Sequence, residues 1–421
     1  MTLGLIILAG VLVGGLYMAW GIGANDVANA MGTSVGSGVL TLLGAIILAG
    51  VLEFSGAVLI GSNVTQTISK GIIDTSLFDV DGPWGADGPL LLAVGMLCAL
   101  VAAAGWLHVA THFGLPVSTT HSIVGAVVGI GLVSFGIAGV DWGKMLQIMA
   151  SWVVSPLLGG LLAFLSFFAI RKFILSAPDP VSATIRTSPW IVGFVVMLLV
   201  LSFIYKVLAN RIDAPPVLAA FGAAFSAGIV AGVLASALTR NMVPAPGMSP
   251  YQFVERVFAL LQIATACFVA FAHGANDVAN AIGPVAAVVS LSQAGFASVP
   301  ESVGVPLWVL VLGGGGIVVG LATLGYKVIA TIGKQITEIT PTRGFSAEFG
   351  AATTVLLASS LGLPISTTHT LVGAVIGVGF ARGIGALNLR IIRNIVNSWL
   401  ATVPVAACAS ALLFFIARLF V

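Results

Sequence analysis

Apolar positions in this chain continue for twenty residues or more with few polar interruptions. Such runs fill 89–110, 189–209, 216–239 and 394–421. Each is long enough to cross a bilayer, which takes roughly 20 apolar residues. Polar and apolar residues do not alternate within the runs, which argues against the two-residue period of a membrane barrel. Helices are the remaining way to satisfy backbone N–H and C=O groups in lipid. The pattern predicts an all-α integral membrane protein.

Composition agrees. Hydrophobic residues make up 59% of the chain and charged residues 7%, with a mean hydropathy of +1.15; soluble domains carry about 25% charged residues. So few charges cannot cover a water-facing surface. The 52 glycines fit closely packed or broken helices. A net charge of +2 without any basic stretch gives no sign of nucleic-acid binding. The first charged side chain is Asp26, so the leading apolar run lacks the positive flank of a cleaved signal peptide. Cys98, Cys267 and Cys408 stand singly in apolar surroundings and read as packing residues, with neither ligand spacing nor an even count.

Much of the chain is written twice. GANDVANA at 23–30 returns letter for letter at 274–281, and GLPVSTTHSIVGAVVGIG at 114–131 returns as GLPISTTHTLVGAVIGVG at 362–379. The spacing between copies is nearly the same for both motifs (25 to 276, and 118 to 366), which indicates one long duplicated unit. The expected organisation is a first repeat at 1–172 and a second at 250–421. The linking segment 173–249 carries two plain spans and no copy of either motif.

Arg171, Lys172 and Arg186 flank one side of that linking pair, and Arg240 and Arg256 the other. Two spans separate these basic groups, so both lie on one face, cytoplasmic by the positive-inside rule. The second repeat then starts inside, where the first ends. Copies of one fold must be inverted relative to each other, a design that places ion and substrate sites near the midplane. The segment 74–88, with Asp74, Asp79, Asp81, Asp87 and two prolines, reads as an exposed loop.

The duplicated motifs carry the candidate chemistry. Asn25 and Asp26, and again Asn276 and Asp277, follow long apolar runs. A carboxylate in the membrane is costly unless paired or solvated, and Asn with Asp offers hard oxygen ligands suited to a small cation such as sodium. Gly21, Gly23 and Gly274 would permit an unwound backbone there. The plainer alternative is a helix cap at the membrane surface. In the second motif, Pro116 and Pro364 end any preceding helix. Ser118, Thr119 and Thr120, like Ser366, Thr367 and Thr368, then fall at a helix N-terminus, where free N–H groups and the helix dipole favour an anion. Ordinary N-capping is the competing account. No Lys or Arg lies in any motif copy, so a bound anion needs cations to neutralise it. Glu53, Gln66, Gln335 and Glu348 are weaker candidates for coupling or gating. The spacing that leads to Glu348 lands on Leu100 in the first repeat. His121 and His369 follow the hydroxyl clusters and read as packing residues or as a proton relay.

At these residues the chain resembles the inorganic phosphate transporter (PiT) family. Both halves carry its GANDVANA-like signature, the stretch 254–284 matches around the second copy, and KGIID at 70–74 is similar too. The pattern is nearest to bacterial sodium-dependent members. The resemblance implies about twelve membrane helices in two inverted-topology repeats with broken helices or re-entrant hairpins. It implies a homodimer in a bacterial cytoplasmic membrane that imports phosphate by alternating access. It also implies phosphate at the two Ser-Thr-Thr clusters, sodium around Asn25, Asp26, Asn276 and Asp277, and no cofactor. The short 240–252 loop departs from the long one of animal members.

The expected function is sodium-coupled phosphate symport. A proton-coupled phosphate or sulfate permease is the alternative, and a continuous channel suits inverted broken helices less well. A hydrolase is disfavoured: no G-x-S-x-G or H-E-x-x-H motif occurs, and Ser118 with His121 lacks an orienting acid.

Overall fold

A computed structural model describes residues 2–63, 72–204, 216–300, 303–360 and 365–420. Gln66, Lys70 and Gly71 of KGIID, and 361–364 with Pro364 lie outside the described residues. Within them the chain is helical, without a strand beyond an isolated bridge between Ile73 and Val140.

Nine described helices are long and apolar enough to cross a membrane, and a tenth candidate is Leu307–Thr323 with Gly325–Gln335, bent by 60° at a short break. The family resemblance implies about twelve. Helix Thr367–Arg382 is only 16 residues long, and Pro341–Ser360 opens on the polar stretch PTRGFSAE. Neither carries the length or hydropathy of a plain span.

The first repeat supplies five long helices: α1 (Thr2–Gly36), α2 (Leu42–Ile60), α3 (Gly88–His112), α4 (Thr119–Phe135) and α5 (Trp142–Ile170). Two linking helices follow, α6 (Pro180–Phe203) and α7 (Val217–Thr239). The second repeat supplies α8 (Pro250–Gln293), α9 (Leu307–Thr323), the short α10 (Gly325–Ala330), α11 (Pro341–Ser360), α12 (Thr367–Arg382) and α13 (Leu389–Ala417). Their packing is reciprocal. Where α1 lies on α9, α8 lies on α2; α4 packs on α13 as α12 packs on α5; α3 meets α13 as α11 meets α5. Each repeat thus completes the other.

Glycine makes the closest of these approaches. A Cβ on Gly23 would stand 1.9 Å from the carbonyl oxygen of Ile317, and one on Gly274 2.1 Å from that of Glu53. These glycines therefore do not unwind the backbone, as the sequence suggested: α1 and α8 run unbroken through Asn25–Asp26 and Asn276–Asp277. The missing side chain is spent on helix contact, the usual role of small residues where membrane helices meet. The glycines of the second motif serve likewise, Gly125 and Gly129 facing α13 and Gly373 and Gly377 facing α5.

Helix α3 is the most enclosed, while α6, α7 and α13 turn most of their apolar surface outward, toward lipid. The segment 74–88 forms short 3-10 turns, largely exposed, with Phe78 as its buried anchor.

Candidate transport site

The hydroxyl clusters lie at helix N-termini, as their sequence predicts. Gly114 takes a positive φ of 65° in the turn that ends α3, and Ser118 then caps α4 by accepting from the backbone N–H of His121 at 3.2 Å. Ser366 caps α12 in the same way, from His369 N–H at 3.1 Å. The two serines are thus engaged with their own helices, and the threonines that follow face across the site.

Both clusters meet the acidic motifs in one buried centre. Thr119 donates to Asp26 Oδ2 at 2.8 Å and Thr368 donates to Asp26 Oδ1 at 3.0 Å. Thr367 donates to Asp277 Oδ2 at 3.1 Å. The asparagines one helical turn beyond the acids cross between repeats. Asn29 donates to Thr368 at 2.8 Å, and Asn280 donates to Thr119 and Thr120 at 3.2 Å each. Asn29 also donates to Asp26 at 3.1 Å, while its Oδ1 is buried without a partner. Every pairing with a threonine of the opposite repeat ties α1 to α12 or α8 to α4.

Asn25 has a different position from its neighbour. Its amide donates to Thr111 Oγ1 at 2.9 Å and Leu115 O at 3.0 Å, and its oxygen accepts from Val117 N–H at 3.0 Å. It clamps the Gly-Leu-Pro turn that presents Ser118 and Thr119. Asn276 donates to Asp277 at 2.7 Å and lines, with Asn29, His273 and Thr367, a cavity of about 40 Å³ between α8, α11 and α12. That is room for a few waters, at roughly 10–15 Å³ each.

His273 is the residue that the sequence reading missed. Its Nε2 lies 2.9 Å from Asp277 Oδ2 and 3.6 Å from Asp26 Oδ2, and its Nδ1 lies 3.4 Å from Glu53 Oε1. None of these approaches has hydrogen-bond alignment. One ligand atom from each of Asp26, His273 and Asp277 falls within 4.8 Å of the others, an arrangement that could hold a metal ion. Asp26, Glu53 and Asp277 are all at most 1% exposed. Three carboxylates against one imidazole leave an excess of negative charge when ionised, and no Lys or Arg is among their partners in the described residues. Buried charge of this kind needs a counter-charge.

Glu348 forms a second, separate centre. Thr33, Ser34, Gln262 and Thr265 all donate to it, so a buried carboxylate has four donors from α1 and α8. Gln335, in contrast, is exposed in a surface cavity beside Glu338 and Asn388, and does not join either centre.

The two repeats differ at these positions. His273 stands where the first repeat has Ile22, and the reciprocal glycine contacts set Glu53 against Ile317. Thr265 meets Glu348 where Gly14 meets Leu100. Asn29 and Asn280 lay inside a duplicated motif and could have been found from it. His273 carries no such mark.

The chain resembles known proteins along nearly its whole length. A model of the phosphate transporter family matches residues 22–410. A protein of Pyrococcus abyssi named as a phosphate permease is 49% identical over 411 residues, covering 96% of each chain. The chloroplastic inorganic phosphate transporter 2-1 of Arabidopsis thaliana is 47% identical over 416 residues, covering 94% of this chain and 70% of that one. A solved structure of a sodium-dependent phosphate transporter superposes with a TM-score of 0.88 at 44% identity, over 99% of this chain and 100% of that one. With its apolar helices and these matches, the chain is a multi-pass membrane transporter, not an enzyme, and belongs to the phosphate transporter family.

Proposed function

We propose that this protein is a secondary active symporter that imports inorganic phosphate coupled to sodium. The observation that carries the reading is the meeting of Asp26 and Asp277 with both hydroxyl clusters in one buried centre without Lys or Arg among the described residues. Phosphate brings negative charge into a centre already acidic. Cations bound at Asp26 and Asp277, with Asn276 and the orphaned oxygen of Asn29 as further ligands, offset both. Thr119, Thr120, Thr367 and Thr368 then give their hydroxyls to the phosphate oxygens, and Ser118 and Ser366 hold the helix ends whose N–H groups face the anion. Each ion lowers the cost of burying the other, so they move together.

In this reading 1–172 and 250–421 are inverted repeats joined by 173–249. The α3–α4 hairpin enters from one face and turns at the site, α12 starts at the site from the opposite face, and rocking of the repeats gives alternating access. The protein works as a homodimer in a bacterial cytoplasmic membrane. The sodium-dependent character of the structural relative supports the choice of cation.

His273, close to three carboxylates, favours a second reading in which protons drive transport. Radiolabelled phosphate uptake into proteoliposomes, with sodium and pH gradients imposed separately, decides between them. Sodium-driven accumulation at equal pH is the expected result. Accumulation driven by a pH gradient without sodium would replace it with the second reading.

A further inference from the structure

Helices α6 and α7 carry neither motif, pack closely on each other and touch the rest of the molecule sparsely. Their seam is built from small residues. A Cβ on Gly193 would lie 2.8 Å from Gly228 O, and one on Gly232 3.0 Å from Pro189 O. Along this seam runs a groove of about 850 Å³, within the roughly 300–1,000 Å³ typical of ligand sites.

The groove is apolar along its length and basic at one end. Phe194, Met197, Phe225 and Ile229 wall it, while Arg186 from the start of α6 and Arg240 at the end of α7 stand at its mouth. No Asp or Glu lines it, and neither arginine has an ion-pair partner among the described residues. Trp190, 81% exposed, lies one helical turn below Arg186. Arginine and tryptophan at the mouth with hydrocarbon walls beyond reproduce the profile of a single leaflet. From Arg186 to Met197 the helix rises about 16 Å at about 1.5 Å per residue. Half of a hydrocarbon core about 30 Å thick has nearly that depth.

We propose that this groove binds an anionic phospholipid, with an acyl chain along the glycine seam and the headgroup phosphate between Arg186 and Arg240. Guanidinium pairs with phosphate through two parallel hydrogen bonds, and basic pockets between membrane helices on the cytoplasmic side take such headgroups. Inorganic phosphate would satisfy the arginines and leave the apolar walls bare. A second copy seated through the same groove would set its own Arg186 and Arg240 against these, with no Asp or Glu lining either groove to pair them. A zwitterionic headgroup would bring its own cation to a basic mouth.

Native mass spectrometry of the purified protein, incubated with equal phosphatidylglycerol and phosphatidylcholine, tests this. The expected result is retention of phosphatidylglycerol about tenfold over phosphatidylcholine, close to 1.4 kcal/mol, undisturbed by excess inorganic phosphate. Arg186→Gln with Arg240→Gln should bring the two lipids to parity. Arg186→Lys with Arg240→Lys keeps the charge without the fork and should show an intermediate preference, so the proposal stays testable if the glutamine pair fails to fold. Equal retention by the unmodified protein, or an unchanged preference in both variants, overturns it. So does displacement of the lipid by inorganic phosphate, or disulfide-linked dimers of Trp190→Cys in membranes, which would put a second copy over the groove.

Discussion

Thr368 of the second repeat donates to Asp26 of the first at 3.0 Å, across 342 positions of sequence. Thr119 occupies the other oxygen of the same carboxylate. Asp26 is therefore the point where both hydroxyl clusters meet one acid. Asp277 holds only Thr367 among those threonines, so the two acids are not equivalent despite their identical motifs.

That inequality sets the first prediction. Asp26→Asn and Asp277→Asn should each abolish most sodium-driven uptake, by about tenfold or more, which corresponds to about 1.4 kcal/mol of coupling. Asp26→Asn should also weaken phosphate binding, because it removes a bound cation next to both hydroxyl clusters and puts an amide donor against Thr119 or Thr368, which misaligns that hydroxyl. Asp277→Asn should act mainly on the sodium curve. Uptake at varied sodium and varied phosphate separates the two. An unchanged sodium curve in either variant removes that acid from the cation site.

The threonines themselves give the second. A hydrogen bond to a charged group contributes about 1.5–3 kcal/mol. Thr368→Val removes a donor to Asp26 and the acceptor of Asn29, with little change of volume. Thermal stability should fall by about 1–3 kcal/mol because Asn29 loses an acceptor, and the phosphate concentration for half-maximal uptake should rise roughly tenfold or more. Thr367→Val should shift it less, since its partner contact with Asp277 is single. Equal phosphate affinity in Thr368→Val would exclude this hydroxyl from the substrate site.

The sequence revealed the acids and hydroxyls because duplication marked them twice. It could also place Ser118 and Ser366 at helix starts, since Pro116 and the following small-residue run leave little choice. It misjudged Gly23 and Gly274. A glycine beside a polar pair reads equally well as a break or as a contact, and only the neighbour decides. Here the neighbours are the backbones of Ile317 and Glu53, distant in sequence. His273 was invisible for a related reason: its three acidic neighbours arrive from α1, α2 and its own helix, and its counterpart is Ile22. Asn25 matched the expected position and has a different task, holding the turn before Ser118.

The glycine contacts make a stability prediction. Gly274→Ala would put a Cβ 2.1 Å from Glu53 O, whereas a Cβ on Gly105 of α3 has nothing within 4 Å. Overpacking of a tight contact costs about 1–3 kcal/mol. An alanine in open helix gains roughly 0.5–1 kcal/mol over glycine. Thermal unfolding in detergent should therefore fall for Gly274→Ala and hold or rise for Gly105→Ala. Equal unfolding temperatures would mean that α2 and α8 are not as close as described.

Glu348 allows the asymmetry between the repeats to be tested directly. Four donors converge on it, and leaving a buried donor without a partner costs about 1–3 kcal/mol. Glu348→Leu copies the residue at Leu100 but strands Thr33, Ser34 and Gln262, while Thr265 keeps the backbone carbonyls of Leu261 and Gln262 as acceptors. Glu348→Gln keeps one acceptor oxygen and the same shape, so it should unfold at a higher temperature than Glu348→Leu. Adding Thr33→Val to Glu348→Leu removes one stranded donor. The pair should then be less unstable than the sum of its single variants, with a coupling of about 0.5–3 kcal/mol. Strict additivity would mean that Thr33 and Glu348 do not depend on each other, and the polar centre would have no energetic unity to contrast with Gly14 and Leu100.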